Sequence, residues 1–151
     1  MIGILNESQI RQVLHLQLCG RLACASDGKI YLVPVSYAFD DKYIYAHSRE
    51  GQKINMLRKN PGVCFQVDII DSLSSWRSVI IWGRFEELKT VKEQTRAIKL
   101  LDDRFGPLHV SESIARVSAD IHPPQSVEKK KKAVYFRISL DEATGRFEKT
   151  S

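Results

Sequence analysis

The densest chemistry in this 151-residue chain runs from Tyr45 to Leu57, YAHSREGQKINML, where an extended alternation gives way to a helical spacing. A strand that opens through a short polar loop into a helix presents the first helical N–H groups, which have no partner inside the helix, together with the positive end of the macrodipole. Ser48 adds a hydroxyl donor and Lys53 an ammonium, and phosphate suits that donor set. Charge-assisted hydrogen bonds contribute about 1.5 to 3 kcal/mol each, so three or four of them could anchor a dianion against its desolvation. The same residues fit a plainer arrangement in which Ser48 caps the helix and Lys53 is solvated. Both readings stand at the level of local pattern. His47, next to the loop, reads either as a ligand contact or as a packed histidine with one satisfied nitrogen.

Other chemistries lack their residues. There is no G-x-G-x-x-G, no G-x-x-x-x-G-K-[ST] and no G-x-S-x-G, and no pair of carboxylates is set out for acid–base work. Cys19, Cys24 and Cys64 are odd in number and form no C-x-x-C, so they are expected to be small buried apolar residues in a reducing compartment. His15, His47, His109 and His122 are scattered, and no metal site is expected. Net charge is +5, but Lys129 to Lys132 carry four of the positive charges, leaving 19 basic against 18 acidic residues elsewhere. A single run on a nearly neutral body reads as a solvated loop, so no nucleic-acid partner is expected. No segment approaches the roughly 18 apolar residues of a membrane span and no basic flank precedes an apolar leader, so a cytoplasmic location with no membrane partner is the expectation.

The elements that must position this stretch follow from periodicity. Asn6, with Gln9 three residues on and Ile10, Val13, Leu14 and Leu18 at helical spacing, predicts a capped amphipathic helix. Arg21 to Ala25 and Ile30 to Phe39 read as strands joined by a turn at Asp27-Gly28. Tyr43 to Ser48 carries bulk on both faces, as a strand in a closed barrel does. A short helix over Gly51 to Lys59 precedes a strand over Val63 to Val67 and a loop rich in Asp and Ser. Trp76 to Leu88 is the longest strand, Thr90 to Phe105 a helix stopped by Gly106 and Pro107, and Ala133 to Leu140 a last strand. Residues 107–132 lack periodicity and are expected to be a mobile loop or lid. The fold class is α+β, mainly β: one domain over 1–151, with six or so antiparallel strands in a small barrel and helices outside it.

The segments VPVSYAFDDKYIYAHSREGQKINMLRKNPGVCFQVD and SSWRSVIIWGRFEEL resemble the pyridoxamine 5′-phosphate oxidase-related flavoproteins, and within them the nitroimidazole-resistance branch. The resemblance runs from about Gly20 to Leu88, more weakly through the N-terminal helix and the closing YFRISLDEATGR. It implies a split β-barrel homodimer with FMN in the groove between subunits and the FMN phosphate at the strand-to-helix junction, on Ser48, Gln52 and Lys53. It also implies Pro34, Val35 and Ser36 beside the isoalloxazine, their backbone meeting its polar edge, and Ala46 and His47 under or next to the ring. Ser78 and Val79 fall where the family contacts the flavin and ribityl region, and Arg77 adds a charge. The residues themselves also allow Pro34 at a sheet edge, Val35 and Val79 in the core, and Trp76 and Trp82 in barrel or interface packing.

The chain departs from the oxidase at two points. The Arg-Lys pair expected at the phosphate is Gln52-Lys53 here, and the C-terminal portion with the oxidase's substrate-binding Arg and His has no counterpart, so pyridoxamine phosphate oxidation is not assigned. The function expected is an FMN-dependent oxidoreductase passing electrons to a small-molecule acceptor, nitroaromatics being one candidate class, with His47 as the titratable group at the ring. A module from another class remains open: a barrel that holds a flavin, haem or another ligand without turnover.

Overall fold

The computed structural model describes residues 1–106 and 133–150; the expected loop at 107–132, with its Lys run, lies outside the described residues. Strand β1 (Ile2–Ile4) leads into helix α1 (Glu7–Leu16). The predicted capping box is present: Gln9 N donates to Asn6 Oδ1 at 2.9 Å and Asn6 N to Gln9 Oε1 at 2.8 Å. Two orphan donors are thereby satisfied, and the helix buries Ile10, Val13 and Leu14. Strands β2 (Cys19–Ser26) and β3 (Lys29–Ser36) form the predicted hairpin. Asp27 and Gly28 both take positive φ, 53° and 77°, the pattern of the tight turn that matches strand twist.

After β3 come β4 (Ala38–Phe39), β5 (Tyr43–Arg49), helix α2 (Gln52–Lys59), β6 (Gly62–Ser72), β7 (Ser75–Glu87), helix α3 (Val91–Phe105), β8 (Ala133–Ser139) and β9 (Glu142–Glu148). The pairings are antiparallel, in the order β3-β2-β6-β7-β8-β5-β4, with β9 joined to β7 and β1 to β9. Strand β7 organises the sheet. Along one side it pairs with β6; along the other it pairs with β9 from Trp76 to Trp82 and with β8 from Phe85 to Glu87. The hand-over falls at Gly83, where a Cβ would sit 1.7 Å from the Ser139 carbonyl oxygen, so only glycine lets the backbones pass. The sheet curls around a core that includes Leu22, Phe65, Val67, Ile81, Phe136 and Ile138, closed by α1 and by Ile54 and Leu57 of α2. The architecture is the expected α+β, mainly β split barrel with peripheral helices.

The described residues hold nine strands rather than six or so. Strand β3 ends one residue before β4 because Tyr37 turns inward, its hydroxyl donating to the Leu14 carbonyl at 2.7 Å. Strand β6 runs on to Ser72 through the expected Asp- and Ser-rich loop. Cys24 is buried as expected, but Cys64 is half-exposed and Cys19 exposed, because both sit on the outward register of β2 and β6. Strand β5 is covered on both faces: Ile44 and Ala46 enter the barrel core, and Tyr45 packs with Leu88 and Ala97.

Candidate functional site

Strand β5 delivers its last residues to Glu50 and Gly51, and α2 starts at Gln52. Gly51, in extended backbone at φ 174°, is the N-cap and offers no side chain to the helix. Ser48 does not cap it either, since its hydroxyl donates to the Arg49 carbonyl at 3.2 Å. Helical bonding begins at Asn55 N, 3.0 Å from the Gly51 carbonyl, which leaves the N–H groups of Gln52, Lys53 and Ile54 at the open end.

The loop is pinned from below. Arg58 of α2 donates to both oxygens of Glu50, at 2.8 and 2.7 Å, and through Nε to Glu87 of β7 at 2.8 Å. Its hydrogen bond holds the Glu50 carboxyl below the usual carboxylate range. This clamp joins residues eight and 29 apart in the chain, spacings that carry no sequence signal.

Lys53 is half-buried, and burial pushes its ammonium down from its ordinary pKa, with the nearby Cys24 thiol opposing. Among the described residues no carboxylate pairs with it. A cation partly stripped of water with no anion beside it is not the solvated lysine of the plainer reading. The His47 ring lies 5.7 Å from that of Tyr135. Burial, and then the charge of Lys53, push the imidazole below its ordinary value of 6.5 against the opposing pull of Asp102, so it is neutral at pH 7. Burial raises the Tyr135 phenol, which stays protonated. Tyr135 and Asp102 belong to β8 and α3, distant in sequence, and periodicity gave no reason to single them out.

Strand β3 lies at one end of the sheet order, with its far side open. The register from Ser26↔Lys29 onward directs the backbone groups of Ile30, Leu32, Pro34 and Ser36 to that open edge. Pro34, which has no N–H, costs no ladder bond there. Chain direction carries this segment back to β5, because Ala38, two residues beyond Ser36, pairs with Tyr45. The side chains of Val35, Ala46 and Val79 are buried in the core, so only their backbone can meet a ligand. Gln52 is exposed, its amide reaching no further than Met56 Sδ at 4.0 Å.

Arg77 and Ser78 do not join this group within one chain. Ser78 accepts from Gln66 Nε2 at 3.0 Å, and Arg77 alternates to the other side of β7. Ser78 lies about 23 Å of strand from Phe85, where β7 first meets the neighbour of β5. The chain therefore gathers His47, Ser48, Gln52 and Lys53 at one junction, leads the β3 edge toward it and holds Ser78 apart. Ser78 shares the outer sheet face with an apolar row, Leu32, Ala23, Cys64 and Trp82, aligned across β3, β2, β6 and β7. Ile30, Leu32 and Trp82 on that face are 77%, 63% and 40% exposed.

Comparison with known proteins agrees with this fold. The family model described as pyridoxamine 5′-phosphate oxidase matches residues 6–147. A curated protein of Rhizobium meliloti, itself uncharacterized, is 30% identical, the alignment covering 96% of this chain and 94% of that protein. Among solved structures, a protein of Mesorhizobium loti named as FAD-binding is 30% identical with a TM-score of 0.77, covering 99% of this chain and 98% of its own. One from Bacteroides thetaiotaomicron, named for 5-nitroimidazole antibiotic resistance, shares the fold at 18% identity and a TM-score of 0.72, covering 97% of this chain and 87% of its own. With a curled antiparallel barrel, an open helix start beside a half-buried lysine and a family match over nearly its whole length, this chain belongs to the pyridoxamine 5′-phosphate oxidase-related family of FMN-binding split-barrel proteins.

Proposed function

We propose that the protein is an FMN-binding oxidoreductase that works as a homodimer, with the flavin phosphate at the β5–α2 junction and the ring in the groove between two copies. The observation that carries this reading is Lys53: half-buried, without an anion among the described residues, and placed at a helix start that no side chain caps. The open N–H groups of Gln52, Lys53 and Ile54 form a set of donors that suits a phosphate, and the Ser48 hydroxyl joins them on turning from the Arg49 carbonyl. Gln52 contributes an amide where the oxidase family has a second cation, so Lys53 carries the charge of the contact. The name of the Mesorhizobium loti relative points to FAD, whose flavin-phosphate end is the same as that of FMN.

Bound there, the flavin supplies the redox chemistry, taking electrons from a donor and passing them to a small acceptor, of which nitroaromatics are one class. The chain's own part is to orient and to exclude water. The free backbone edge at Pro34 and Ser36 suits the polar rim of the ring, and neutral His47, able to donate at one nitrogen and accept at the other, suits a contact beside it. Two features support the second copy. The exposed row through Leu32 and Trp82 is an apolar surface of the kind that proteins cover. Ser78 and Arg77, remote from Lys53 in one chain, would reach the flavin from the other.

The test is spectroscopic. Purified protein loaded with FMN is mixed anaerobically with NADH or NADPH and then with quinone and nitroaromatic acceptors. The visible flavin band should bleach with a donor and return with an acceptor. A band that no donor bleaches would overturn the enzymatic part, and a protein that takes up no FMN would overturn the whole reading.

A further inference from the structure

Helix α3 runs along β5 in step with it. Ala97 packs with Tyr45, and one helical turn later Leu101 belongs to the cluster against which Tyr135 packs. Tyr135 is the register partner of His47, two residues beyond Tyr45 on β5. Four helical residues rise about 6 Å and two strand residues span about 6.6 Å, so the two elements keep pace. Asp102, next to Leu101, thereby arrives level with the His47 and Tyr135 rings, and its charge acts on both. The rings are half-buried, 5.7 Å apart and tilted by 49°. Among the described residues, the charges that face His47 are one cation, Lys53 from α2, and one anion, Asp102 from α3. Strand β8 brings the Tyr135 phenol, and β4 contributes the apolar Ala38 beside it.

We propose that His47 is the proton donor of the site and that Asp102 and Tyr135 are its positioning residues, the carboxylate holding a proton on the imidazole and the tyrosine ring fixing its plane. This rests on the flavin reading above and extends it to the acceptor, a quinone or other carbonyl compound. Hydride from the reduced flavin leaves such an acceptor as an oxyanion. The protonated imidazole gives its N–H proton to that oxygen, so the acceptor ends as a hydroxyl compound, His47 ends neutral and water reloads it. The surroundings govern that load. Burial and the Lys53 charge disfavour the imidazolium, while Asp102 favours it. A phosphate dianion on Lys53 cancels the opposing charge, so the influence of Asp102 prevails when the cofactor is in place. The Tyr135 phenol, raised by burial and then by Asp102, keeps its own proton and leaves the titration to His47.

The first measurement needs no flavin. The His47 ring signal of the cofactor-free full chain, assigned by its absence from His47→Gln, is followed by NMR against pH. Its midpoint should lie below 6.5, move lower in Asp102→Asn and return toward the wild-type position in Asp102→Glu. The second measurement uses the chain loaded with FMN, photoreduced and mixed with a quinone under stopped flow. Reoxidation should slow as pH rises through the His47 midpoint, and the slowing should begin at lower pH in Asp102→Asn. His47→Gln should lose about 100-fold in rate together with that pH dependence. Tyr135→Leu should slow the step severalfold with FMN affinity unchanged, and Tyr135→Phe, which keeps the ring, should restore it. Thermal unfolding midpoints matching the wild type check that each variant is folded. A His47 midpoint or a pH profile that Asp102→Asn leaves in place would overturn the inference while the flavin reading stands. A chain that takes up no FMN would overturn the flavin reading and the proton-donor role with it.

Discussion

At the scale of single residues, two side chains make the account testable. Removing the Lys53 ammonium deletes a charge-assisted contact worth about 1.5 to 3 kcal/mol, so Lys53→Ala should weaken FMN roughly 10- to 150-fold in a fluorescence titration. Unaltered affinity would move the phosphate elsewhere. His47, held below its ordinary 6.5 by burial and by Lys53, stays unprotonated in the folded chain at a pH where the unfolded chain takes up a proton. Stability should therefore fall as pH drops through about 6.5, and His47→Gln should flatten that slope in denaturant melts compared with wild type. An identical slope in the variant would contradict the burial of the ring. The strand-loop-helix junction that carries Ser48, Gln52 and Lys53 was legible because it is local in sequence. Its support was not: the Glu50–Arg58–Glu87 clamp and the company of Tyr135 and Asp102 around His47 come from tertiary contacts that leave no periodic trace.

The elements follow the same division. Helix α1 and the β2–β3 hairpin were readable because their signals, a capping box and Asp27-Gly28, act within a few residues. Strand β1 is three residues long, too short to alternate, and β9 is exposed along most of its length, so neither showed the apolar alternation that marks a half-buried strand. The continuation of β6 through Asp68 and Asp71 is held by pairing with β7, which a reading for loop-forming residues does not sense. Two substitutions test the element-level account. Asn6→Ala removes one half of the cap and should cost about 1 kcal/mol in chemical denaturation. Gly83→Ala forces a methyl into the Ser139 carbonyl at the hand-over of β7, and should cost about 4 kcal/mol or more, seen as loss of soluble folded protein. A stable Gly83→Ala chain would show that the two half-sheets do not cross as closely as described.

For the whole molecule, the fold class was legible because alternating strands with few helices leave few architectures that bury one face of each. The proposed assembly is tested on the outer face. If a second copy covers the row through Leu32 and Trp82, then Leu32→Glu with Trp82→Glu should give a monomer by light scattering and lose flavin at the same time, although neither residue touches Lys53. A dimer that persists in this double variant would place the interface elsewhere. The central claim, that a flavin is held here by its phosphate, is tested most directly by titrating the cofactor-free protein with FMN and with riboflavin, which differ by that phosphate alone. The account predicts FMN tighter by about two orders of magnitude, the worth of roughly two charge-assisted hydrogen bonds at the low end of their range, with much of the difference lost in Lys53→Ala. Equal affinity for FMN and riboflavin would contradict it.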